Sequence, residues 1–176
     1  MTINKQVEIE KCVQYIMDVL QVEQNDSTKD TPKRISNMLV NELFIGLQYD
    51  KFPKYKMFKL TTKQNEPIIV ENISIYSICE HHFLPFIGKA TFKYIPKNEI
   101  IGLSKIPRII DFLSRKPQLQ ERLTAEIFNT FSKILKTKDI SVQLTCEHLC
   151  AKMRGIKDGC IMTTTKNGGY FALKKT

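Results

Sequence analysis

The order of helical and extended patterns along this chain constrains its fold more than any other feature of the sequence. Apolar residues recur every three or four positions in two segments before about residue 50 and in two more between residues 103 and 135. β-Branched and aromatic residues cluster in two segments between residues 66 and 96 and in two after residue 139. The first pattern indicates helices and the second indicates strands. Because helices and strands follow one another in blocks, without strand–helix–strand alternation, the sequence predicts an α+β fold with an antiparallel sheet.

The N-terminal block consists of two predicted amphipathic helices. The first places four apolar residues on one face: Ile9, Val13, Ile16 and Leu20. The second begins at the cap-and-proline pair Thr31-Pro32 and ends near Gly46. Its apolar stripe consists of Ile35, Met38, Leu39 and Leu43. We expect residues 1–65 to form an N-terminal helical region of one folding unit.

Residues 66–176 contain the predicted sheet and two further helices. Strands are predicted in PIIVENISIY and FIGKATFKYIP, and helices in LSKIPRIIDFLSR and from Leu119 to Leu135. Two more strands are predicted in ISVQLTCEHLC and in IMTTT, before the turn signal Asn-Gly-Gly. Alternation in the first of these places six residues on one strand face: Ile140, Val142, Leu144, Cys146, His148 and Cys150.

Composition and charge narrow the classes of partner. The 176 residues are 42% hydrophobic and 26% charged, which is typical of a folded globular chain. The N-terminal residues contain no apolar export signal and no run is long enough to span a bilayer, so we expect no membrane association. The net charge of +9 is scattered without a long basic run, which argues against a nucleic-acid partner. Five cysteines, an odd number, favour reduced thiols and a cytoplasmic location.

The three histidines of the chain all lie within a few residues of cysteines. Cys79 and His82 have a Cys-x-x-His spacing, which lets two side chains close on one metal ion from a turn. Further along the chain, Cys146, His148 and Cys150 alternate on the predicted strand, so either cysteine or the histidine could complete the ligand set. Thiolate and imidazole ligands suit zinc better than magnesium or calcium.

These cysteines also allow a purely structural interpretation. Cysteine is often a small buried hydrophobic residue, and a single Cys-x-x-His is a weak motif. The coincidence of every histidine with a cysteine segment at a predicted strand end favours a metal site. A structural zinc has four protein ligands, whereas a catalytic zinc leaves one position open. With three ligands, His81 beside His82 would remain free for proton transfer in hydrolysis.

Three segments resemble the signature segments of the GTP cyclohydrolase I family: CEHHFLPFIGKATFKYIP, IIGLSKIPRIIDFLSRKPQLQERLT and EHLCAKMRGIKD. The resemblance runs in order from the TPKR segment at Thr31 to TTTKNGGYF near the C-terminus. It implies the tunnelling fold, a four-stranded antiparallel sheet with two helices inserted after the second strand and helices before the sheet. It also implies a homo-oligomer, a decamer of two pentameric rings with active sites between subunits.

The resemblance implies three zinc ligands: Cys79, His82 and Cys150. Cys146 is then interpreted as a core residue, and His81 and His148 as proton-transfer residues. The implied reaction is hydrolysis at C8 of GTP, with zinc-activated water, release of formate and rearrangement to 7,8-dihydroneopterin triphosphate. This reaction is the first step of tetrahydrofolate and pterin biosynthesis, and Zn²⁺ is the only cofactor that the resemblance implies.

The resemblance also implies the substrate contacts. Glu121, with Gln120 beside it, is the candidate for the guanine edge, because a carboxylate can accept from N1–H and the 2-amino group together. Without the resemblance, Glu121 could equally be a residue that complements the dipole of its helix. The candidates for the triphosphate are Ser104, Lys105, Arg108, Arg154 and Arg34. Asn37 stands where the family often has a lysine, which removes one plausible phosphate contact.

Two rival functions compete with this hypothesis. One is a different enzyme on the same fold, such as a pterin synthase or a nitrile reductase. The other is a zinc-stabilised binding module without catalysis. The CEHH segment together with EHLC and QER disfavours the first rival, and a binding module would fill four zinc positions.

Overall fold

The computed structural model describes residues 4–62 and 64–173 of the chain. Helix α1 spans Lys5–Val19, and its N-terminus is capped by Asn4, whose side chain accepts a hydrogen bond from the Val7 N–H. Helix α2 spans Thr31–Met38 and begins at the predicted Thr31-Pro32 pair. The Ser36 hydroxyl of α2 donates to the Gln6 carbonyl at 2.6 Å, which joins the two helices.

The buried face of α1 differs from the predicted stripe. Val13 and Met17 are buried, whereas Ile16 is 54% exposed and Leu20 is 69% exposed. Of the four residues on the predicted stripe, Val13 alone is buried, and Leu20 lies just after the end of α1. The face that meets α2 is defined by the i, i+4 pair of Val13 and Met17, and sequence periodicity could not tell which of two neighbouring faces α2 would cover.

The predicted second helix is built from several short pieces. After α2 the chain forms a π-helical turn at Leu39–Leu43 and 3₁₀ turns at Ile45–Leu47 and Tyr49–Lys51. Gly46 is buried there, and its N–H donates to the Arg115 carbonyl at 2.8 Å. A Cβ at this position would lie 2.4 Å from the Phe112 carbonyl oxygen, so close backbone packing requires glycine.

The remainder of the chain forms seven strands and four helices in the described residues. The strands are β1 Met57–Lys59, β2 Ile68–Cys79, β3 Pro85–Tyr94, β4 Glu99–Ile101, β5 Pro117–Gln118, β6 Ile140–His148 and β7 Ile161–Asn167. The helices are α3 Lys105–Ser114, α4 Gln120–Leu135, α5 Leu149–Lys152 and α6 Tyr170–Leu173. The main sheet has the order β5-β2-β3-β6-β7, and β1 pairs with β4 in a small second sheet.

The predicted architecture is confirmed by this topology. The long strands β2, β3, β6 and β7 are antiparallel neighbours, and α3 and α4 lie between β3 and β6 in the chain. The two-residue strand β5 adds a parallel edge next to β2. Three short strands, β1, β4 and β5, were not predicted. The division of the chain at residue 65 stays a prediction.

The strand β6 ends earlier than predicted. It ends at His148, and Cys150 lies in the short helix α5. The prediction that Cys150 shares a strand face with Cys146 and His148 was therefore wrong. The chain turns into a helical conformation after His148, so the alternation of strand side chains no longer applies to Cys150.

The core lies between the main sheet and helices α3 and α4. Alternate residues of β3 point into it, among them Phe92, whose ring centroid lies 4.4 Å from that of Phe131 on α4. The packing brings the C-terminal ends of β2 and β6 and the N-terminus of α4 to one end of the sheet. Cys79 pairs with Gln118 just before α4, and His148 pairs with Phe86 at the start of β3. This end of the sheet collects the candidate functional residues. No helix in the described ranges combines the length and apolar character that crossing a membrane requires.

Candidate metal centre and active site

The turn between β2 and β3 positions the first two candidate ligands. Cys79 is the last residue of β2, and its N–H donates to the Leu84 carbonyl at 2.8 Å. The Phe83 N–H donates back to the Cys79 carbonyl at 2.9 Å, which closes the turn around His82. Phe83 adopts a left-handed conformation with φ of 54°. Such a conformation is uncommon for a residue with a Cβ and is often found at functional sites.

Helix α5 supplies the third candidate ligand. The two Sγ atoms of Cys79 and Cys150 and a ring nitrogen of His82 all lie within 4.8 Å of one another. Ligands at about 2.3 Å for sulfur and about 2.0 Å for nitrogen lie between about 3 and 4 Å apart in a tetrahedral zinc site. Small side-chain rotations would therefore bring the three atoms to bonding distance of one ion. The donor set fits zinc because it combines two thiolates with one imidazole.

The geometry separates Cys150 from Cys146, which the sequence pattern had left as alternatives. Cys146 is 1% exposed, lies in the hydrophobic core on β6 and is not a member of the three-ligand group. Burial raises the pKa of the Cys146 thiol to about 12, so it remains protonated and apolar. His148 also lies outside the group. The structure therefore places Cys150, and not Cys146, beside Cys79 and His82.

The electrostatics of the two grouped cysteines favour a bound cation. Burial raises the pKa of Cys150, and its hydrogen bond to Cys79 together with the negative charge of the Cys79 thiolate raises it further. Two adjacent thiols resist ionising together because each thiolate repels the other. A divalent cation would remove this penalty, since thiolates bind metal ions in the ionised form.

Two histidines lie close to the group without belonging to it. His81 is exposed, and its Nδ1 lies 3.8 Å from the Cys79 Sγ. His148 is half-buried and stacks on Phe86, with ring centroids 4.8 Å apart and an interplanar angle of 12°. Burial lowers the pKa of His148, and the charge of Glu121 partly opposes this effect. His148 is therefore a mainly neutral imidazole near neutral pH.

The two predicted guanine-binding residues begin helix α4. Glu121 is exposed in the first turn of the helix and close enough to His148 to influence its pKa. Gln120 is 1% exposed, and its Oε1 lies 2.9 Å from the His148 Nε2. Glu121 therefore faces solvent at the site, whereas the Gln120 side chain is enclosed by the protein.

The predicted phosphate-binding residues lie on three separate parts of the chain. Ser104 and the first turn of α3, with Lys105 and Arg108, form one part. Arg34 on α2 is paired with Asp30 at 3.6 Å, and exposed Arg154 follows α5. In residues 4–62 and 64–173, no ion pair involves Lys105, Arg108 or Arg154. Lys105, Arg108 and Arg154 therefore have no acidic partner within the described residues.

Sequence reasoning missed two features of the site. Phe86 forms the aromatic surface on which His148 stacks, and Arg122 on α4 is paired with Glu80 in the turn that carries the candidate ligands. The pairing of Phe86 with His148 depends on the register of β3 and β6, which the sequence does not reveal. Glu80 lies in the CEHH segment and Arg122 in the QER segment. Their opposite charges could have suggested an ion pair between these two segments.

The fold and site define an α+β protein with a Cys₂His candidate metal centre at one end of an antiparallel sheet. Comparison with known families matches residues 9–175 to GTP cyclohydrolase I. GTP cyclohydrolase 1 of Wigglesworthia glossinidia brevipalpis is 48% identical over 169 residues, which cover 95% of this chain and 78% of the relative. GTP cyclohydrolase 1 of Yersinia enterocolitica is 42% identical over 169 residues, which cover 95% of this chain and 77% of the relative.

The chain therefore belongs to the GTP cyclohydrolase I family of enzymes. Its sheet, paired helices and N-terminal helices are the tunnelling fold that the resemblance implied.

Proposed function

We propose that this chain catalyses the zinc-dependent hydrolytic opening of the GTP imidazole ring at C8, which releases formate and forms 7,8-dihydroneopterin triphosphate. This reaction would be the first step of tetrahydrofolate and pterin biosynthesis. The observation that carries the proposal is the group of Cys79, His82 and Cys150, whose ligand atoms lie within 4.8 Å of one another in a chain of this family.

In this proposal, Cys79, His82 and Cys150 hold the metal ion. Zinc, when bound, supplies Lewis-acid activation of water near neutral pH, which suits both hydrolytic steps at C8. The Cys79 backbone and the turn that follows it hold His82 in place, and α5 brings Cys150 to them. Three protein ligands would leave a fourth position of a zinc ion for water, which supports a catalytic role over that of a closed structural site.

The proposed proton-transfer residues are His81 and His148. His81 lies beside Cys79 and is exposed, so it can meet a substrate that approaches from solvent. His148 is held in place by stacking on Phe86 and by its hydrogen bond with Gln120. Since its pKa is lowered, a large neutral fraction is present near neutral pH, as proton acceptance requires.

Glu121 is the proposed guanine-binding residue, and Gln120 next to it stays a prediction for the same contact. An exposed carboxylate at this end of the sheet can accept hydrogen bonds from N1–H and the 2-amino group of guanine, a pair that adenine lacks. Five further residues are proposed for the triphosphate: Ser104, Lys105, Arg108, Arg154 and Arg34. Within the described residues, no ion pair involves Lys105, Arg108 or Arg154, so their charges are available for phosphate oxygens.

We also propose a homo-oligomer, a decamer of two pentamers with active sites between subunits, and a cytoplasmic location. Partners other than GTP, such as nucleic acid or membrane, are not part of the proposal. In the described residues β7 is an edge strand, which supports association of chains, because an edge strand can pair with a strand of a neighbouring subunit.

The proposed function is tested by incubating the zinc-loaded protein with GTP and following formate and the fluorescent oxidised pterin together. The proposal predicts both products in equal amounts, and no turnover of ATP. A folded, zinc-loaded protein that releases neither product from GTP would contradict the proposal. Formation of formate without the pterin would instead indicate an enzyme that stops after ring opening.

A further inference from the structure

The side-chain amide of Gln120 is enclosed in a hydrogen-bond network that determines its orientation. Its Nε2 lies 3.2 Å from the Leu144 carbonyl oxygen, 3.0 Å from the Met162 carbonyl oxygen and 3.1 Å from the Thr164 Oγ1. Carbonyl oxygens only accept hydrogen bonds, so the atom that faces them must be the NH₂ group. A flipped amide would place its oxygen against two carbonyl oxygens and leave buried groups unsatisfied.

Two threonines fix the direction of the same network. The Thr124 hydroxyl donates to the Gln120 backbone carbonyl at 2.8 Å, so its hydrogen is already used. The Thr164 hydroxyl therefore donates to the Thr124 Oγ1 at 2.7 Å. This arrangement leaves a lone pair of Thr164 Oγ1 to accept from Gln120. All three acceptors around the Gln120 Nε2 are thus consistent with one orientation of the amide.

The remaining atom of the amide, Oε1, faces His148. It lies 2.9 Å from the His148 Nε2, and a carbonyl oxygen can only accept, so Nε2 must carry the hydrogen. A 180° turn of the ring about its Cβ–Cγ bond would keep the stacking on Phe86 but would put Cε1, and not Nδ1, in the place of Nε2, so only Nε2 can make this hydrogen bond. In the neutral ring the lone pair is then on Nδ1.

We propose that Gln120 is a positioning residue that fixes neutral His148 in the Nε2–H tautomer and leaves Nδ1 as the nitrogen that accepts a proton during turnover. The role in turnover rests on the function proposed above, whereas the tautomer does not. Nδ1 accepts the proton from the reacting group and later gives it back. The Nε2 hydrogen stays on His148 and keeps its hydrogen bond to the Gln120 Oε1 throughout. This role differs from the guanine contact that the sequence predicted for Gln120.

The tautomer is measured by solid-state ¹⁵N NMR on the zinc-loaded protein labelled at histidine. The chain has 3 histidines, so the spectrum is simple enough to assign His148 by comparison with His148→Asn. We expect a protonated Nε2 and an unprotonated Nδ1 for His148 in the fraction that is neutral. A protonated Nδ1 with an unprotonated Nε2, or an even mixture of the two tautomers, would overturn the proposal.

The functional part is tested with Gln120→Met, which keeps the length of the side chain and removes the acceptor. We expect mixed tautomers at His148, a fall in kcat of about tenfold or more and a KM for GTP within about twofold of the original. Gln143→Met is the matched control, since Gln143 is an exposed glutamine of β6 that donates to Thr165, and it should leave all three quantities unchanged.

The outcomes separate the proposal from its alternatives. A raised KM with the tautomer unchanged would show that Gln120 contacts substrate directly and would overturn the positioning role. If Gln120→Met does not fold, the tautomer measured in the original protein still decides the proposal. A protein with the expected tautomer and no turnover of GTP would contradict the proposed function and not the tautomer.

Discussion

At the scale of single residues, Cys146 lies in the core near the C-terminal end of β6, and its buried thiol should affect how the stability of the protein depends on pH. Burial raises the pKa of Cys146 from 9.0 to about 12. The folded-state pKa is thus above that of the unfolded chain, so the contribution of this thiol to stability is complete below pH 9 and is lost as pH rises toward 12.

Cys146→Ala should therefore flatten the alkaline loss of stability. Relative to the original protein, its free energy of unfolding should fall less between pH 8 and pH 11, by on the order of 2 kcal/mol. Urea unfolding at a series of pH values measures the difference, and the other titrating groups cancel in the comparison. Parallel pH profiles for the two proteins would contradict the buried, protonated state of Cys146.

The roles of the two adjacent histidines can be separated in the same way. His81→Ala should retain bound zinc, because His81 lies outside the three-ligand group, and should lose between about a hundredfold and ten-thousandfold of kcat. His82→Ala, the matched variant, should lose the metal. Zinc analysis and GTP turnover on both proteins measure these outcomes. Loss of zinc from His81→Ala together with its retention in His82→Ala would reverse the assignment.

At the scale of elements, the close approach of β3 and β6 keeps the site in register. Gly88 is opposite Cys146, and a Cβ at Gly88 would lie 2.0 Å from the Thr145 carbonyl oxygen and 2.6 Å from the Cys146 Cα. Gly88→Ala should therefore force the two strands apart and destabilise the protein by about 3 kcal/mol.

Thermal or urea unfolding measures this cost. Gly159→Ala is the matched control, since a Cβ at Gly159 meets no atom within 4 Å, and its effect should stay within about 0.5 kcal/mol. Equal stability of the two alanine variants would show that the strands can separate without cost.

The long elements were predictable from sequence because each contains several periods of its pattern. Helix α4 and strands β2, β3, β6 and β7 are where the apolar periodicity placed them. The strands β1, β4 and β5 have only two or three residues, too few to show any period. Helix α5 was missed because its four residues follow a strand whose alternation continues by chance through Cys150.

Part of the candidate site was also predictable from the sequence, namely two of its three candidate ligands. The scarcity of histidine and its coincidence with cysteine predicted Cys79 and His82 as partners. The third partner depended on where β6 ends, which is a property of tertiary packing, so the residue pattern alone left Cys146 and Cys150 open. The stacking of His148 on Phe86 and the enclosure of Gln120 depend on strand register and on the placement of α4, and no short motif records either.

At the scale of the whole molecule, one chain leaves features that a second chain would complete. In the described residues, β7 is an edge strand that pairs with β6, and Ile161 on it is 68% exposed. Edge strands with exposed apolar residues are prone to pair with another chain. We expect analytical ultracentrifugation to give an assembly of several chains at micromolar concentration. A monomer under these conditions would contradict the proposed oligomer.

If active sites lie between subunits, two inactive variants should complement each other in a mixed assembly. Arg154→Ala and His81→Ala should each be inactive alone, and assemblies refolded from a mixture of the two should regain part of the activity if the two residues come from different subunits at one site. The control is each variant refolded by itself. A mixture as inactive as its components would place both residues of each site on the same chain.

The zinc content of two cysteine variants tests the central claim most directly. Cys150 and Cys146 lie four positions apart, yet one belongs to the three-ligand group and the other to the core. Elemental analysis of the purified proteins should find about one zinc per chain in the original protein and in Cys146→Ala, and almost none in Cys150→Ala. Zinc retained in folded Cys150→Ala, or lost from folded Cys146→Ala, would contradict the account.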